Sequence, residues 1–308
     1  MIEHITPILV GTLGAATPLV FAGLGELVAE KSGVINLGVE GMMLIGAIAA
    51  FAAAVATDGN LVVGLSIGAL AGALAALPFA ILTLSLGANQ AASGLATTIF
   101  GVGLSAFIGQ SFVSYSLPGV KPLAIPILSD IPVIGPVLFH QDIVVYLSFA
   151  TFAVLSWVLA KTRIGLVLRA VGESPESAHA IGYPVMAIRY GAVLFGGAMA
   201  GIAGAYLSVV YTPLWVQNMT AGRGWIAVAL VVFATWKPGR LMLGAYLFGG
   251  VTILQLHAQG LGIPISSHFL SALPYIATIV VLVLISRDRK LLQLNLPASL
   301  GKSFIAGG

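Results

Sequence analysis

Cysteine is absent from the 308-residue sequence, which excludes disulfide scaffolds, thiolate metal sites and cysteine nucleophiles. Charge is nearly as scarce, because Asp, Glu, Lys and Arg make up 7% of the residues, against roughly 25% in a typical soluble domain. Hydrophobic residues reach 59%, and the mean hydropathy is +1.07. A water-facing surface cannot be built from this composition. The sequence therefore predicts an all-α, polytopic membrane protein.

Enzyme motifs are also missing. The sequence contains neither the H-E-x-x-H zinc motif nor the G-x-S-x-G nucleophile elbow. Its tail holds Gly-Lys-Ser at 301–303, but Leu296 stands where a Walker A motif requires its first glycine. The charge-free stretches 59–120 and 241–286 disfavour proton coupling, since ionisable residues in membrane helices normally mark ion pathways. We therefore expect no catalytic residue, metal ion or cofactor on this chain, and expect another subunit to supply energy for transport.

Charges and turn residues divide the chain into helices of about 20 residues, the length that crosses a bilayer. Two charge-free stretches are too long for one helix and break at 87–90 and 257–268, where glycine and proline accumulate. The predicted helices cover residues 5–29, 37–57, 61–86, 90–111, 143–160, 187–211, 222–236, 241–258 and 270–286. The segment 222–236 is only about two-thirds of a span, so we expect it to be short, broken or re-entrant. The expected number of spans is eight to ten.

The distribution of Lys and Arg predicts the orientation. These residues cluster in the loop 161–189, in the turn 237–240 and in the tail after 286. The positive-inside rule places these three segments in the cytoplasm, together with the C-terminus, and the loop 112–142 outside it. With nine helices the N-terminus is extracytoplasmic. Residues 1–308 are expected to form one membrane domain, whose first apolar stretch is retained because it lacks the basic segment of a signal peptide.

Glycines at four-residue spacing predict close helix contacts. Gly64, Gly68 and Gly72 form one series, and Gly197 and Gly201 form another. Each series lies on one helix face, where two backbones can approach closely. An interface that slides during a transport cycle and ordinary membrane packing both fit this pattern.

A polar, glycine-rich interruption separates the first two predicted helices. Glu26 and Glu30 share one helix face, and Asn36 and Glu40 repeat the same spacing where the next helix begins. A capped cytoplasmic turn is one interpretation. In the other, Asn36 and Glu40 lie in a membrane-embedded break that helps to shape a solute path.

A second informative segment lies in the loop 161–189. Ser174 is placed as an N-cap, Pro175 as the first helical residue and Glu176 as a first-turn acid, and Gly182 marks the end of the helix. The pattern predicts a helix of about two turns, which is too short to be stable alone and must dock on another surface. An amphipathic connector without further function is the alternative.

Three segments of the chain resemble permease subunits of bacterial ABC importers. They read EKSGVINLGVEGMM at 30–43, RAVGESPESA at 169–178 and AGRGWIAVA at 221–229. The resemblance is to the branched-chain amino acid and ribose permease superfamily, and the first segment is most similar to its nucleoside, or simple-sugar, branch. It extends over almost the whole chain. The nine predicted helices are fewer than is usual in that superfamily.

The resemblance implies that the chain lies in the bacterial inner membrane and has several partners. These are a second permease subunit, commonly a different chain, a cytoplasmic ABC ATPase that binds ATP and Mg²⁺, and an extracytoplasmic substrate-binding lipoprotein. It also implies a cytoplasmic coupling helix that inserts into the ATPase, so we call 161–189 the coupling loop. The residues that match the family's coupling helix are Gly172, Glu173, Ser174, Pro175, Ala178 and Gly182.

Polar side chains are expected to line the path of a neutral solute, because amides suit such a solute better than fixed charges. The candidates are Asn36, Glu40, Asn89, Gln90, Gln217, Asn218 and Gln255. For each, a hydrogen-bonded interfacial group is the alternative. A nucleoside is the expected solute, and ribose, another simple sugar or a branched-chain amino acid is the alternative. An intramembrane enzyme is disfavoured because the sequence shows no pair of catalytic groups within the predicted helices. A passive channel is disfavoured because it would not need a coupling helix.

Overall fold

The computed structural model describes residues 2–260, scattered positions between 269 and 283, and residues 295–304. The helices are α1 (Ile2–Lys31), α2 (Val39–Ala56), α3 (Leu61–Ala80), α4 (Gln90–Gly109), α5 (Ile134–Phe139), α6 (Ile143–Lys161), α7 (Arg163–Glu173), α8 (Pro175–Ala180), α9 (Val185–Ala205), α10 (Arg223–Phe233) and α11 (Pro238–Gly260). The π-helical turns Ile81–Ser85 and Tyr206–Tyr211 extend α3 and α9, and the 3₁₀ turn Gln110–Phe112 extends α4. Two short antiparallel strands, β1 (Leu123–Ala124) and β2 (His140–Gln141), flank α5. The described chain is thus mostly helical, with almost no sheet, as the composition predicts.

Seven helices in the described part of the chain are long and apolar enough to cross a membrane, namely α1, α2, α3, α4, α6, α9 and α11. The predicted interruption at 87–90 is confirmed, because the π turn ends at Ser85 and α4 begins at Gln90. Helix α10 has 11 residues, or about 16 Å, which confirms that the segment 222–236 is short. The predicted helix 270–286 falls largely outside the described residues and stays a prediction.

Polar residues cap the N-termini of helices at the points where charge-free stretches begin. The Asn60 side chain accepts hydrogen bonds from the amides of Val62 and Val63 at the start of α3. Asp142 does the same for Val144 and Val145 at the start of α6. These are ordinary N-caps, which satisfy amides that have no partner within the helix. They explain why the predicted and observed helix starts agree closely.

The two glycine series face each other across α3 and α9. A Cβ added at Gly72 would overlap the carbonyl oxygen of Gly197, and one added at Gly201 would overlap the carbonyl oxygen of Gly68. Gly46 of α2 also lies against Gly201. The backbones of α2, α3 and α9 therefore meet without intervening side chains, which confirms the predicted close contact.

Replacing Gly72 with alanine is expected to lower the melting temperature of the full-length protein in detergent. The added methyl group forces α3 and α9 apart, and overpacking of this kind costs roughly 1–3 kcal/mol. Gly103→Ala is the matched control, because a Cβ there meets no atom within 4 Å. Equal melting temperatures for the two variants would contradict the close α3–α9 contact.

The coupling loop and the tail 295–304 lie at the same end of the molecule. The Ser299 amide donates to the Gly172 carbonyl oxygen at 3.0 Å, and Lys31 lies near Arg169 and Lys237. We call this end the basic end. Helix α6 runs from the loop 112–142 to the basic end, so that loop lies at the opposite end. The coupling loop, Lys237 and the described part of the tail therefore share one side, as the sequence predicts.

Candidate functional site

The chain leaves helical geometry between α1 and α2 while it stays buried inside the bundle. We call residues 32–38 the α1–α2 break. Ser32, Val34 and Asn36 are fully buried, and Gly33 adopts a positive φ of 95°. Non-helical backbone inside a membrane domain persists only where other groups satisfy its hydrogen bonds. The break must therefore find hydrogen-bond partners for its backbone groups in neighbouring parts of the bundle.

Side chains from α1 and α4 bind the amides of the break. Ile35 donates its backbone N–H to Gln90 Oε1 at 2.8 Å, and Asn36 donates its own to Glu26 Oε1 at 2.9 Å. The Gly38 amide donates to Asn36 Oδ1 at 2.9 Å. Three of the four amides at 35–38 are thus bound by side chains, two of which come from helices α1 and α4.

Helix α4 also presents a polar stripe toward the break. Thr98 Oγ1 donates to the Leu37 carbonyl oxygen at 3.0 Å, and Gly94 allows α4 to approach the Leu37 backbone. The buried polar residues of this stripe are Gln90, Ser93, Thr97, Thr98 and Ser105. Only Gln90 was among the predicted path residues. The missed signal was the three- and four-residue spacing of Ser and Thr along an otherwise apolar helix.

Glu40 lies in the first turn of α2 and binds the N-terminal end of the short helix α10. Its Oε1 accepts from Thr220 Oγ1 at 2.6 Å and from the Gly222 amide at 2.8 Å, and its Oε2 accepts from the Gly224 amide at 2.6 Å. A carboxylate suits this position because the first amides of a helix lack internal acceptors and carry partial positive charge. Glu40 therefore joins α2 to α10, and both of its oxygens are occupied by the protein.

Three of the seven predicted path residues, Asn36, Glu40 and Gln90, lie in the break or beside it. The Asn36 side-chain amide binds within its own turn, and its Nδ2 contacts Met42 Sδ at 3.3 Å. Gln90 is buried and binds the break through its oxygen. Asn36 and Gln90 thus hold backbone groups of the break, whereas Glu40 holds backbone groups of α10.

The other four predicted path residues lie elsewhere. Asn89 is exposed and caps α4 by accepting from the Ala92 amide at 3.0 Å. Gln217 and Asn218 are exposed in the segment that precedes α10, and Gln255 is half-buried on α11. The structure therefore does not gather the seven candidates into one cavity. Among the described residues, no group of three or more His, Asp and Glu side chains could hold a metal ion.

The predicted short helix of the coupling loop is present as α8. The Ser174 hydroxyl oxygen accepts from the Ser177 amide at 3.3 Å, and Pro175 is the first helical residue. Gly182 follows the helix with a positive φ of 94°, which favours glycine. Ala178 is buried, whereas Glu173 is exposed. The sequence analysis missed that the preceding residues form a separate amphipathic helix, α7.

Gly172 joins the coupling loop to the end of α1. A Cβ added there would overlap the carbonyl oxygen of Lys31, so only glycine permits this approach. The Gly172 carbonyl oxygen accepts from both the amide and the hydroxyl of Ser299, at 3.0 and 2.6 Å. The tail thus closes over the contact between α7 and α1.

Arg189 connects the tail to the α1–α2 break. Its Nε donates to the Ser32 carbonyl oxygen at 3.0 Å, its Nη1 to the Lys302 carbonyl oxygen at 3.2 Å and its Nη2 to Ser299 Oγ at 3.0 Å. The sequence analysis placed Arg189 among the loop charges, but it is fully buried inside α9. The break, the tail and the coupling loop therefore form one hydrogen-bonded unit, which we call the junction.

The tail also packs against the coupling loop through Phe304. This side chain lies in an apolar cluster with Val171, Ala178 and Val185, and its ring meets that of His179 at a centroid distance of 5.7 Å. The predicted docking surface of the short helix is thus identified as α7, the start of α9 and the tail.

Replacing Ser299 with alanine is expected to release the tail. The variant loses the hydroxyl that binds the Gly172 carbonyl oxygen and leaves Arg189 Nη2 without its acceptor, at a cost of roughly 1–3 kcal/mol. Cleavage by trypsin after Lys302 should then become faster, as followed by mass spectrometry of the full-length protein. Ser303→Ala changes an exposed neighbour and is the matched control. Equal cleavage rates in both variants would show that Ser299 does not hold the tail.

Comparison with known proteins gives several extended similarities. Residues 8–285 match the family described as the permease component of branched-chain amino acid transport systems. A putative glucose ABC transporter permease of Haloferax volcanii is 41% identical, over 95% of each chain. A nucleoside ABC transporter permease of Lactococcus lactis is 36% identical over 87% of this chain and 89% of its own. A guanosine ABC transporter permease of Bacillus subtilis is 31% identical, over 92% of each chain.

Proposed function

The chain belongs to the family of branched-chain amino acid transport permease components, and on this premise we propose that it carries a nucleoside across the membrane. It is a multi-pass ABC transporter permease subunit and not itself an enzyme. Two relatives named for nucleoside and guanosine transport support the choice of substrate class. The relative named for glucose favours a second candidate, a simple sugar.

The proposed complex contains a second permease subunit of different sequence, an ABC ATPase that binds ATP and Mg²⁺, and a substrate-binding lipoprotein outside the cell membrane. We place the basic end in the cytoplasm of a bacterial cell, with the C-terminus, because the positive-inside rule assigns Lys and Arg clusters to that side. The ATPase would then meet the exposed face of the coupling loop. Glu173, Glu176 and Ile181 are exposed on that face.

The observation that carries the proposed mechanism is the direct contact of Gly172 with the end of α1. When the ATPase moves α8, the rigid link through Ser174 moves Gly172 as well. Because the tail closes over this contact, the movement passes to α1 and the α1–α2 break rather than being lost in a flexible loop. Buried, close-packed contacts of this kind transmit displacement because they are not continuously deformable.

The second step of the proposed mechanism links the break to the solute path. Glu40 lies in the first turn of α2, two residues after the break, and holds the N-terminus of α10. A shift of the break therefore moves α2 and α10 together. The polar stripe of α4 contacts the same segment and supplies hydroxyl and amide groups of the kind that a neutral solute needs. The residues Asn36, Gln90, Thr97 and Thr98 are the first we would test in the path, ahead of Asn89, Gln217, Asn218 and Gln255.

The proposed function is tested by uptake into proteoliposomes that contain the chain with its ATPase, second permease and binding protein. Labelled guanosine, glucose, ribose and leucine are compared with and without ATP. Uptake of guanosine that requires ATP is the expected result. Preferential glucose or ribose uptake would replace the nucleoside by the sugar candidate, and transport by this chain without an ATPase would overturn the mechanism.

A further inference from the structure

An apolar groove of about 540 Å³ lies between α1, α6, α7 and α9. Its volume is within the range of roughly 300–1,000 Å³ that is typical of small-molecule sites. The apolar walls include Val28, Leu155, Val158, Leu168, Ile188 and Phe195. Arg163, the first residue of α7, is the one charged side chain among the described residues that line the groove.

The groove opens to the outside of the bundle at Gly191. This residue is exposed, and a Cβ added there would meet no atom within 4 Å. The glycine is therefore not required by helix packing, unlike Gly197 and Gly201 on the same helix. The space in front of Gly191 is available to a molecule from outside the bundle.

The groove lies where the helix bundle meets the membrane surface. Trp157 is 61% exposed on the outer face of α6 and precedes Lys161 by one turn, and Trp with flanking Lys marks the boundary between membrane and water. Helix α7 exposes Ile164 and Leu166 beside the basic Arg163. Such an amphipathic, basic helix is typical of segments that lie in the plane of the interface.

The positive charge at the groove lacks compensation from the protein. Among the described residues no carboxylate pairs with Arg163, and its exposed neighbours Lys161 and Arg169 are basic too. A phosphate group matches this charge, because a guanidinium binds phosphate oxygens through two parallel hydrogen bonds. Basic clusters beside membrane helices attract anionic lipids for the same reason.

We propose that this groove binds one anionic phospholipid. One acyl chain lies between α1, α6 and α9, in front of Gly191, and the phosphate binds Arg163 at the basic end. Both halves of the lipid thereby find a complementary surface, an apolar one for the chain and a cationic one for the headgroup. Because α7 leads through Ser174 into α8, the bound lipid contacts the helix that positions the coupling loop. Binding itself does not depend on which solute is transported.

Native mass spectrometry of the full-length, delipidated chain in detergent tests the proposal, with phosphatidylglycerol and phosphatidylcholine as probes. The wild-type chain is expected to retain one phosphatidylglycerol more tightly than phosphatidylcholine. Arg163→Gln should weaken phosphatidylglycerol binding roughly fivefold, which corresponds to about 1 kcal/mol, and should weaken phosphatidylcholine binding less, because the choline cation already offsets the charge of its phosphate. Gly191→Trp should fill the groove and abolish tight binding of both lipids. Gly191→Leu should have the same effect through a smaller added side chain.

Two variants control for charge and for added bulk. Lys121→Gln removes an exposed positive charge from the opposite end, and Gly103→Trp adds an indole at another open helical position. Both should retain the tight phosphatidylglycerol. Equal wild-type affinity for the two lipids, or tight binding that survives in a folded Gly191→Leu variant, would overturn the proposal. Crosslinking of position 191 to another protein chain in the membrane would also overturn it, because the groove would then be a subunit interface.

Discussion

Replacing Glu40 with alanine is expected to prevent the folded protein from accumulating in the membrane. The substitution removes the acceptor of two buried donors, the Thr220 hydroxyl and the Gly224 amide, and of the partly buried Gly222 amide. Each buried donor that loses its partner costs roughly 1–3 kcal/mol, so the total is on the order of 5 kcal/mol. A loss of that size is comparable to the whole stability of many domains.

Size-exclusion chromatography and thermal melting of the full-length protein in mild detergent measure this effect. The melting temperature of Glu40→Gln should lie between those of Glu40→Ala and the wild type. The glutamine keeps one acceptor oxygen, but its amide group turns a donor toward the remaining donors of α10. Asp130→Asn makes the same carboxylate-to-amide change at an exposed position and should melt like the wild type. A Glu40→Ala protein as stable as this control would mean that the carboxylate does not hold α10.

Replacing Gly172 with alanine is expected to lower uptake by at least about tenfold, which corresponds to about 1.4 kcal/mol in the barrier, while the protein stays in the membrane. The methyl group cannot fit beside the Lys31 carbonyl oxygen, so α7 must withdraw from the end of α1. Overpacking costs roughly 1–3 kcal/mol, which a folded membrane domain tolerates. Because α8 still presents its exposed face to the ATPase, ATP hydrolysis should continue without productive transport.

Uptake and ATP hydrolysis in the reconstituted complex measure this uncoupling. Glu173→Gln changes the exposed neighbour and should weaken association with the ATPase without lowering the melting temperature. Gly103→Ala is the control for the glycine-to-alanine change. Unchanged uptake by Gly172→Ala would show that its contact with α1 does not transmit the coupling movement.

The short helix α10 illustrates how far the sequence leads. Its limited apolar length predicts a helix that is short, broken or re-entrant, and the structure confirms that it is short. The sequence did not predict the sharp turn before α10, where Ala221 and Gly222 both adopt a positive φ. They turn the chain so that the amides of α10 meet Glu40, a carboxylate more than 180 residues earlier. Local patterns cannot reveal a partner at that separation.

Arg189 shows the opposite limitation. From the sequence it was one more positive charge in the loop 161–189, and the positive-inside rule counted it as such. Its burial and its three bonds to the break and the tail depend on how α9 packs against residues 32 and 299–302. In the folded protein Arg189 therefore connects α9 to the break and to the tail, which its position in the sequence did not indicate.

The sequence by itself determined the class of the protein, the positions of the seven long apolar helices described, the glycine interfaces and the capped helix of the coupling loop. These features depend on hydrophobic length, on residue spacing along one helix and on caps within four residues, all of which are local. Only the tertiary structure decided that the break, the coupling loop, Arg189 and the tail form one junction, and that Glu40 holds α10. Those bonds join backbone groups to side chains far away in the chain, and backbone groups carry no residue-specific signal from which a partner can be predicted.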